Sequence, residues 1–450
     1  MRYLSYRLVR TSLLVGAFFG LDKIVALGRQ VIIARYFGLD PVLDAYNASN
    51  NLPDTLFALI SGGALAIAFI PVLTETLDRE GRAGAWKLFS LVANLAFVVT
   101  ALCAALIALF PLVLVRRVVT PGFSLEQQLL VADLMRLNLI ATLIFSISGL
   151  VMGALQANQH FFLPALAPVF YNIGQIVGVI WLKPAFGIHG LAYGVILGAA
   201  LHLAIQVPGL VRYQFKWTPR LTLADDGVRR VLRLMGPRIL TLAFINLIFI
   251  VNDSLASYLG PGAISALFYG WQILQLPETI IGTAVGTALL PTLSEHVARG
   301  ERAELKRLLR RAIAILLAIT IPVALASLVL VRPAVKLVFE GRAFTAENSE
   351  YVILAARMLL LGLAGHALIE VAARTFYAHQ DARTPYRMAA LTLGVYVVFA
   401  FAFLGLYFGI AQRGMFNPYL IFTALALANS LAFTTEAIVM LFILHRRNIL

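Results

Sequence analysis

The sequence predicts an all-α polytopic membrane protein with about 12 transmembrane helices in two pseudo-symmetric six-helix lobes around a central cavity. Three observations predict this fold. Hydrophobic residues make up 60% of the 450-residue chain and charged residues only 13%, a composition far more apolar than that of a soluble domain. The apolar residues fall in stretches of about 20 or more, long enough to cross a bilayer as helices. The two halves of the chain also share a repeated pattern.

Hydropathy divides the chain into candidate spans joined by short polar loops. The spans are residues 11–36, 48–74, 88–115, 128–155, 161–182, 188–211, 231–258, 264–292, 308–331, 350–377, 387–409 and 418–444. Lys and Arg residues outside the spans number 18 on the side that holds both termini and 7 on the opposite side. Because basic loops stay in the cytoplasm, we expect both termini on the cytoplasmic face of a bacterial inner membrane. The net charge of +14 then requires no nucleic acid partner.

The repeat indicates the domain organisation. The matching segments are residues 155–164 with 376–385, 52–54 with 276–278, and 70–75 with 290–295. A repeat in a transporter marks two lobes with a site between them. We therefore expect an N-terminal lobe at residues 1–212, a cytoplasmic connector at 213–230 and a C-terminal lobe at 231–450.

The first span contains two cations, Lys23 and Arg29. A Lys or Arg at the centre of a bilayer costs about 2.5 to 3.5 kcal/mol, so such a residue faces a bundle interior or a watery cavity. The pair therefore indicates a cavity that holds an anion. The alternative is internal neutralisation, since Asp22 lies seven residues before Arg29 and shares its helix face.

These cations begin a longer pattern of residues: Lys23, Arg29, Ala34-Arg35-Tyr36-Phe37-Gly38, Asp44-Ala45-Tyr46, Leu52-Pro53, Gly63-Ala64 and Phe69-Ile70-Pro71. In this order the pattern resembles the N-terminal signature of the MurJ family. Its members are the bacterial lipid II flippases of the multidrug/oligosaccharidyl-lipid/polysaccharide exporter superfamily. The family pattern begins with arginine, where this chain has Lys23.

The resemblance implies a flippase-type transporter that moves a lipid-linked, pyrophosphate-bearing saccharide, such as a lipid II-like peptidoglycan precursor, across the inner membrane by alternating access. The implied partners are this lipid-linked saccharide, the membrane lipids, and a proton or sodium ion as coupling ion. A monomer is expected. The implied substrate-binding residues are Lys23 and Arg29 for the phosphates, Asp44 and Asp54 for gating or sugar contacts, and Gln272 and Gln275 on the opposite wall of the cavity.

A cation-coupling site is a further implication of the resemblance. Asp253 in the seventh span matches an Asp of the cation site described for some MurJ-like transporters. The eleventh span, residues 391–398, lacks the Asn and Asp that would complete that site. Sodium binding, proton coupling and a structural hydrogen bond all remain open for Asp253.

Catalytic motifs are absent from the sequence. It contains neither the Gly-x-x-x-x-Gly-Lys-Ser/Thr phosphate loop nor His-Glu-x-x-His, and its single cysteine, Cys103, lies in an apolar run. We therefore expect no enzymatic reaction, no cofactor and no bound metal. Transport energy would then come from an ion gradient or the membrane potential.

Other polar and helix-breaking residues lie within the predicted spans. Glu370 and Arg374 are four residues apart and are expected to pair, whereas Glu436 has no obvious partner in the sequence. Proline and glycine can loosen helices where a transporter bends, or can serve close helix packing. The candidates are Pro53, Gly62-Gly63, Pro277 and Pro322.

Three departures from the family pattern leave other functions open. Phe57-Ala58 stands where the second span of the family has a basic pair, and Gln272 stands where the eighth span has arginine. The sequence also ends after the twelfth predicted span, whereas the family has two more that help form a groove for the lipid tail. The alternatives are a polysaccharide or multidrug exporter of the same superfamily, or a non-transporting membrane scaffold derived from a flippase.

Overall fold

The structure is a computed structural model that describes residues 2–61, 63–411 and 421–450. Within these ranges the chain is helical without any strand, apart from one isolated bridge between Gly341 and Phe344. The chain forms two compact units. Unit 1 comprises Met1–Phe37 and Ala45–Ala243, and unit 2 comprises Gly38–Asp44 and Phe244–Leu450. The expected lobes at 1–212 and 231–450 with a connector stay a prediction.

The helices up to residue 256 follow one another with short connections. They are α1 (Arg2–Phe37), α2 (Pro41–Ser49), α3 (Asn51–Leu56), α4 (Gly63–Leu109), α5 (Pro111–Leu114), α6 (Leu125–Ala157), α7 (Phe162–Val177), α8 (Lys183–Phe186), α9 (Ile188–Ala204), α10 (Val207–Arg212) and α11 (Asp226–Ala256). Three π-helical turns interrupt them, at Phe57–Ser61, Val115–Val119 and Gly178–Leu182.

The remaining helices belong to unit 2. They are α12 (Ala263–Glu278), α13 (Ala284–Arg299), α14 (Arg302–Phe339), α15 (Ala346–Leu360), α16 (Leu363–Ala378), α17 (Arg383–Ala411) and α18 (Ile421–Arg446). A fourth π-helical turn, Thr279–Thr283, lies between α12 and α13.

These helices confirm the predicted all-α polytopic membrane fold. Nine helices of the described ranges are long and apolar enough to cross a membrane, or ten if the bent pair α15 and α16 is one span. The count is lower than the number of predicted spans partly because α4 contains the end of the second span and most of the third. The two parts of α4 meet at Gly81, whose φ of 69° and ψ of −168° are not helical.

The internal repeat is visible in the backbone. Gln159 and Gln380, which the sequence alignment places opposite each other, have left-handed φ angles of 57° and 58°. The following amides donate equivalent 2.9 Å hydrogen bonds, from His160 to the Leu155 carbonyl and from Asp381 to the Phe376 carbonyl. The same helix-ending turn therefore occurs in both units, as the repeat predicted.

Both units also have a π-helical turn shortly after a proline of the repeat. Phe57–Ser61 follows Pro53, and Thr279–Thr283 follows Pro277. A π turn adds a residue to the helical repeat, and such turns inside α-helices are frequent at functional sites. The prolines thus coincide with local changes of helix geometry, whereas Pro322 lies inside the continuous helix α14. Gly62 lies outside the described residues.

The predicted connector is attached to α4 within unit 1. The Trp86 indole donates to the Tyr213 carbonyl at 2.9 Å, and the Asn94 amide donates to the carbonyls of Thr218 and Arg220, each at 2.9 Å. Trp86 also packs edge-on against Phe215. These directional contacts hold the segment against the helix.

Candidate functional site

The two predicted anion-binding cations lie on α1 and differ in exposure. The Lys23 side chain is exposed and that of Arg29 is half-buried, with an Nε that has no hydrogen-bond partner in the described residues. Helix α1 packs against α7, where the Asn172 amide donates to the Asp22 carboxylate at 2.9 Å. Asp22 therefore has a hydrogen-bond partner other than Arg29.

The positive charge of Arg29 nonetheless interacts electrostatically with three nearby groups. They are the side chains of Asp22, Tyr46 and Tyr171. Neither Lys23 nor Arg29 forms an ion pair with any residue that the structure describes. The proposed internal neutralisation is thus a longer-range effect, and both cations retain their capacity to bind an anion.

A cavity of about 230 Å³ lies inside unit 1. Its polar lining side chains are Asn50, Asp54, Asn138, Thr142, Tyr171 and His202, and its apolar ones include Phe57, Phe145 and Val195. Of these, the sequence prediction contained only Asp54. As a whole residue Asp54 is exposed, and its carboxylate has no hydrogen bond or ion pair within the described part of the chain.

Hydrogen bonds fix the polar wall of this cavity. The Thr142 hydroxyl donates to the Asn138 carbonyl at 3.1 Å. The His202 Nδ1 lies 2.6 Å from the Ser148 hydroxyl, and the Gln206 amide donates to that hydroxyl at 3.0 Å. The sequence analysis did not identify Asn138, Thr142 and His202 as site residues. All three are polar residues within predicted apolar spans, and such residues need partners, which is the signal that could have identified them.

Asp44, predicted for gating or sugar contacts, is fully buried in unit 2. Its two carboxylate oxygens accept hydrogen bonds from the backbone N–H groups of Gly262 at 2.6 Å and Ser265 at 2.8 Å. These amides belong to the first turn of α12, whose N-terminal N–H groups lack partners within the helix. Asp44 therefore caps a helix that begins more than 200 residues later in the chain. Its role in gating stays a prediction.

Asp253 lies beside a hydrogen-bonded pair within unit 2. The Asn252 amide donates to the Asp253 carboxylate at 3.2 Å, and the Tyr396 hydroxyl donates to the Asn252 carbonyl oxygen at 2.9 Å. Tyr396 belongs to the eleventh span, in which the sequence lacks the expected Asn and Asp. The Tyr396 hydroxyl of the eleventh span therefore hydrogen-bonds Asn252 in the region where a cation ligand was expected. This contact supports the interpretation that Asp253 forms a structural hydrogen bond.

Two predictions about polar partners have definite outcomes. Glu370 and Arg374 form the expected ion pair, and Arg374 also donates to the Thr287 hydroxyl at 3.3 Å. The statement that Glu436 lacks a partner is wrong. The Thr392 hydroxyl donates to the Glu436 carboxylate at 2.7 Å, a contact between α17 and α18 that sequence spacing does not reveal.

Gln272 and Gln275 both lie on α12, with Gln272 half-buried and Gln275 exposed. Neither side-chain amide has a hydrogen-bond partner among the residues described in unit 2. One turn further on, Glu278 accepts hydrogen bonds from Thr283 at 3.3 Å and Thr279 at 3.5 Å. The role of Gln272 and Gln275 as substrate-binding residues stays a prediction. Across the described ranges, no group of three or more His, Cys, Asp or Glu side chains is arranged to hold a metal ion.

Comparisons with known proteins agree with this architecture. A family profile described as lipid II flippase MurJ matches residues 33–450. The lipid II flippase MurJ of Burkholderia cenocepacia is 29% identical over 441 residues, which cover 91% of this chain and 85% of that protein. A probable lipid II flippase MurJ of Rhizobium meliloti is 30% identical, over 83% of this chain and 71% of its own length.

Solved structures share the fold. A lipid II flippase MurJ in an inward closed conformation matches with a TM-score of 0.80 at 23% identity, over 97% of this chain and 89% of that one. An inward-facing multidrug resistance transporter of the MATE family matches with a TM-score of 0.76 at 16% identity, over 95% and 94% of the two chains.

Proposed function

Because the chain belongs to the MurJ family of lipid II flippases, we propose that it translocates a lipid-linked, pyrophosphate-bearing saccharide across the bacterial cytoplasmic membrane. The observation that carries this proposal is the pair of cations on α1 without ion-pair partners in the described residues. A central cation is costly in a bilayer unless water or an anion compensates it. A pyrophosphate group supplies several negative oxygens for that purpose.

The two cations bind the phosphates in different ways in this proposal. The guanidinium of Arg29 is planar and can donate two parallel hydrogen bonds to phosphate oxygens. Lys23 acts as a compact point charge on a flexible side chain. The amides of Gln272 and Gln275 contact sugar hydroxyls, and Asp44 takes part in gating by holding residues 38–44 against α12. Alternating access moves the bound headgroup, and a single chain is the transport unit.

The proposed orientation places both termini and the connector in the cytoplasm, because basic residues outside the spans favour that side 18 to 7. Asp226, which is exposed at the start of α11, offers a labelling position after Cys103 has been replaced by alanine. We expect Asp226→Cys to resist a membrane-impermeant maleimide in intact cells and to react after permeabilisation. Arg117→Cys, on the opposite predicted side, is the matched control and should react in intact cells. The reverse pattern would overturn the orientation.

The chain is expected to rescue a lipid II flippase-depleted bacterium weakly. Ala58 and Gln272 are uncharged where the family pattern has basic residues, and each lost charged hydrogen bond weakens headgroup binding by about 1.5 to 3 kcal/mol. Fewer contacts also reduce the differential binding by which a ligand shifts a conformational equilibrium. Restoring charge with Ala58→Arg and Gln272→Arg together should improve growth after depletion.

The rescue experiment separates two failures. Full rescue by the unmodified chain would mean that the missing charges are unimportant, and the proposed divergence would be wrong. No rescue by either the unmodified or the arginine-restored chain, with both present in the membrane at equal levels, would count against lipid II as substrate.

A further inference from the structure

The cavity inside unit 1 has an anionic group without a partner. The Asp54 carboxylate lines the cavity, and no basic side chain in the described part of unit 1 forms an ion pair with it. An ionised carboxylate at membrane depth needs a compensating charge. Since the protein does not supply this charge as an ion pair, a bound cation is the direct way to provide it.

A second, independent observation comes from Asn138, which is 2% exposed. Its Oδ1 is buried and has no hydrogen-bond donor in the described residues. The orientation of the amide is determined by Ser49, whose hydroxyl donates its proton to the Tyr46 carbonyl at 2.7 Å. The Ser49 oxygen can therefore only accept from Asn138, and the Asn138 Nδ2 must face it, at 3.0 Å. Buried polar atoms are nearly always paired, and Asn138 lines the cavity, so its unpaired oxygen is a candidate ligand there.

The other polar groups of the cavity also present oxygen lone pairs. Asn50 uses its Nδ2 to donate to the Tyr46 carbonyl at 2.8 Å, which leaves its Oδ1 as an acceptor. Thr142 donates its hydroxyl proton to the Asn138 carbonyl, so that its oxygen can accept or coordinate. One carboxylate combined with neutral amide and hydroxyl oxygens is a donor set for a hard cation of low charge.

We propose that this cavity binds a monovalent alkali cation, with the Asp54 carboxylate and the Asn138 Oδ1 as ligands and the oxygens of Asn50 and Thr142 completing the site. The single negative charge of the donor set matches a single positive charge. A divalent ion would remain half compensated. Sodium is the probe of choice because its ligands are oxygens at short range.

The size of the cavity agrees with this occupant. Pockets for small organic ligands have volumes of about 300 to 1,000 Å³, whereas this cavity has about 230 Å³. A water molecule takes about 30 Å³ of liquid volume, so an ion with several waters fits. The saccharide headgroup of the proposed substrate does not. The cavity therefore does not hold the headgroup that Lys23 and Arg29 are proposed to bind, and the Arg29 charge acts on Tyr171 in its lining.

Cation binding itself does not depend on the proposed function, whereas the use of the cation as a coupling ion rests on it. Unit 2 contains the competing location, Asp253, which the sequence had suggested for this role. There the Asn252 amide nitrogen donates to the Asp253 carboxylate, and the Asn252 amide oxygen accepts a hydrogen bond from the Tyr396 hydroxyl. The two locations can be distinguished by matched single substitutions.

The test measures binding of radioactive sodium to the purified full-length chain in detergent, with choline chloride holding the ionic strength constant. We expect saturable binding that other alkali ions displace. Asp54→Asn and Asn138→Leu should each weaken it about tenfold or more, a loss of about 1.4 kcal/mol. Asp253→Asn and Glu436→Gln are the controls and should bind as the unmodified chain does. Asp54→Glu keeps the carboxylate and should retain binding even if Asp54→Asn fails to fold.

Three results would overturn the proposal. The first is unchanged sodium binding by Asp54→Asn. The second is loss of binding in Asp253→Asn alone, which would place the site in unit 2. The third is an absence of saturable sodium binding in a folded, unmodified chain. Headgroup binding, measured separately with lipid II, can fail without affecting any of these outcomes.

Discussion

Replacing Lys23 and Arg29 together with glutamine will abolish binding of a pyrophosphate-bearing lipid headgroup and leave the fold intact. Both side chains lack ion-pair partners in the described residues, so their removal leaves no opposite charge unpaired inside the protein. Each hydrogen bond between a cation and a phosphate contributes about 1.5 to 3 kcal/mol. Losing both should therefore lower the affinity by about two orders of magnitude or more.

Affinity of purified protein for lipid II in detergent measures this effect, and the melting temperature reports the fold. Arg116→Gln with Arg117→Gln is the matched control. It also removes two positive charges, from exposed side chains in the π-helical turn Val115–Val119. We expect the control to bind lipid II normally. Normal binding by the Lys23→Gln and Arg29→Gln double variant would place the anion site elsewhere.

Replacing Asp44 with alanine will destabilise the protein more than any exposed substitution in the same segment. The change leaves the Gly262 and Ser265 amides without their acceptor in a buried position. Loss of a helix N-cap costs about 0.5 to 2 kcal/mol, and a buried donor left without its acceptor costs about 1 to 3 kcal/mol. We expect a total of about 3 kcal/mol below about pH 7, measured by denaturant unfolding in micelles.

Asp40 provides the control for this prediction. It accepts a hydrogen bond from the Val42 amide at 2.9 Å in an exposed position, so Asp40→Ala should cost about 1 kcal/mol or less. Equal effects of the two substitutions would contradict the importance of the long-range cap.

The pH dependence of stability tests the same residue. Burial raises the pKa of the Asp44 carboxyl to about 7, against the hydrogen bonds from Ser265 and Gly262, which lower it. Because this pKa lies above its ordinary value of 3.8, the stabilising contribution is fully present below pH about 4 and is lost as the pH rises through about 7. The stability difference between the unmodified chain and Asp44→Ala should therefore shrink over this range. A pH-independent difference would contradict the raised pKa.

The sequence predicted those features that depend on local spacing or on composition. Apolar stretches predicted the helices, the four-residue spacing predicted the Glu370–Arg374 pair, and the repeat predicted equivalent turns at Gln159 and Gln380. In each case the relevant residues are neighbours along the helix or the chain.

Contacts between distant helices could not be predicted in this way. Asp44 finds its partners at Gly262 and Ser265, and Glu436 finds Thr392, because the rotation and packing of separate helices bring these groups together. The cavity around Asp54 likewise requires side chains from several helices, among them Asn138 and His202. A single sequence does not specify which helices pack together, so these residues stand out in it only as isolated polar residues within apolar spans.

The most direct test of the proposed function is transbilayer movement of lipid II in proteoliposomes, measured by access of an impermeant reagent to its headgroup. We expect the purified chain to accelerate this movement over protein-free vesicles, and the Lys23→Gln and Arg29→Gln double variant to lose the acceleration. Movement at the protein-free rate in vesicles that contain the correctly folded, unmodified chain would contradict lipid II translocation by this protein.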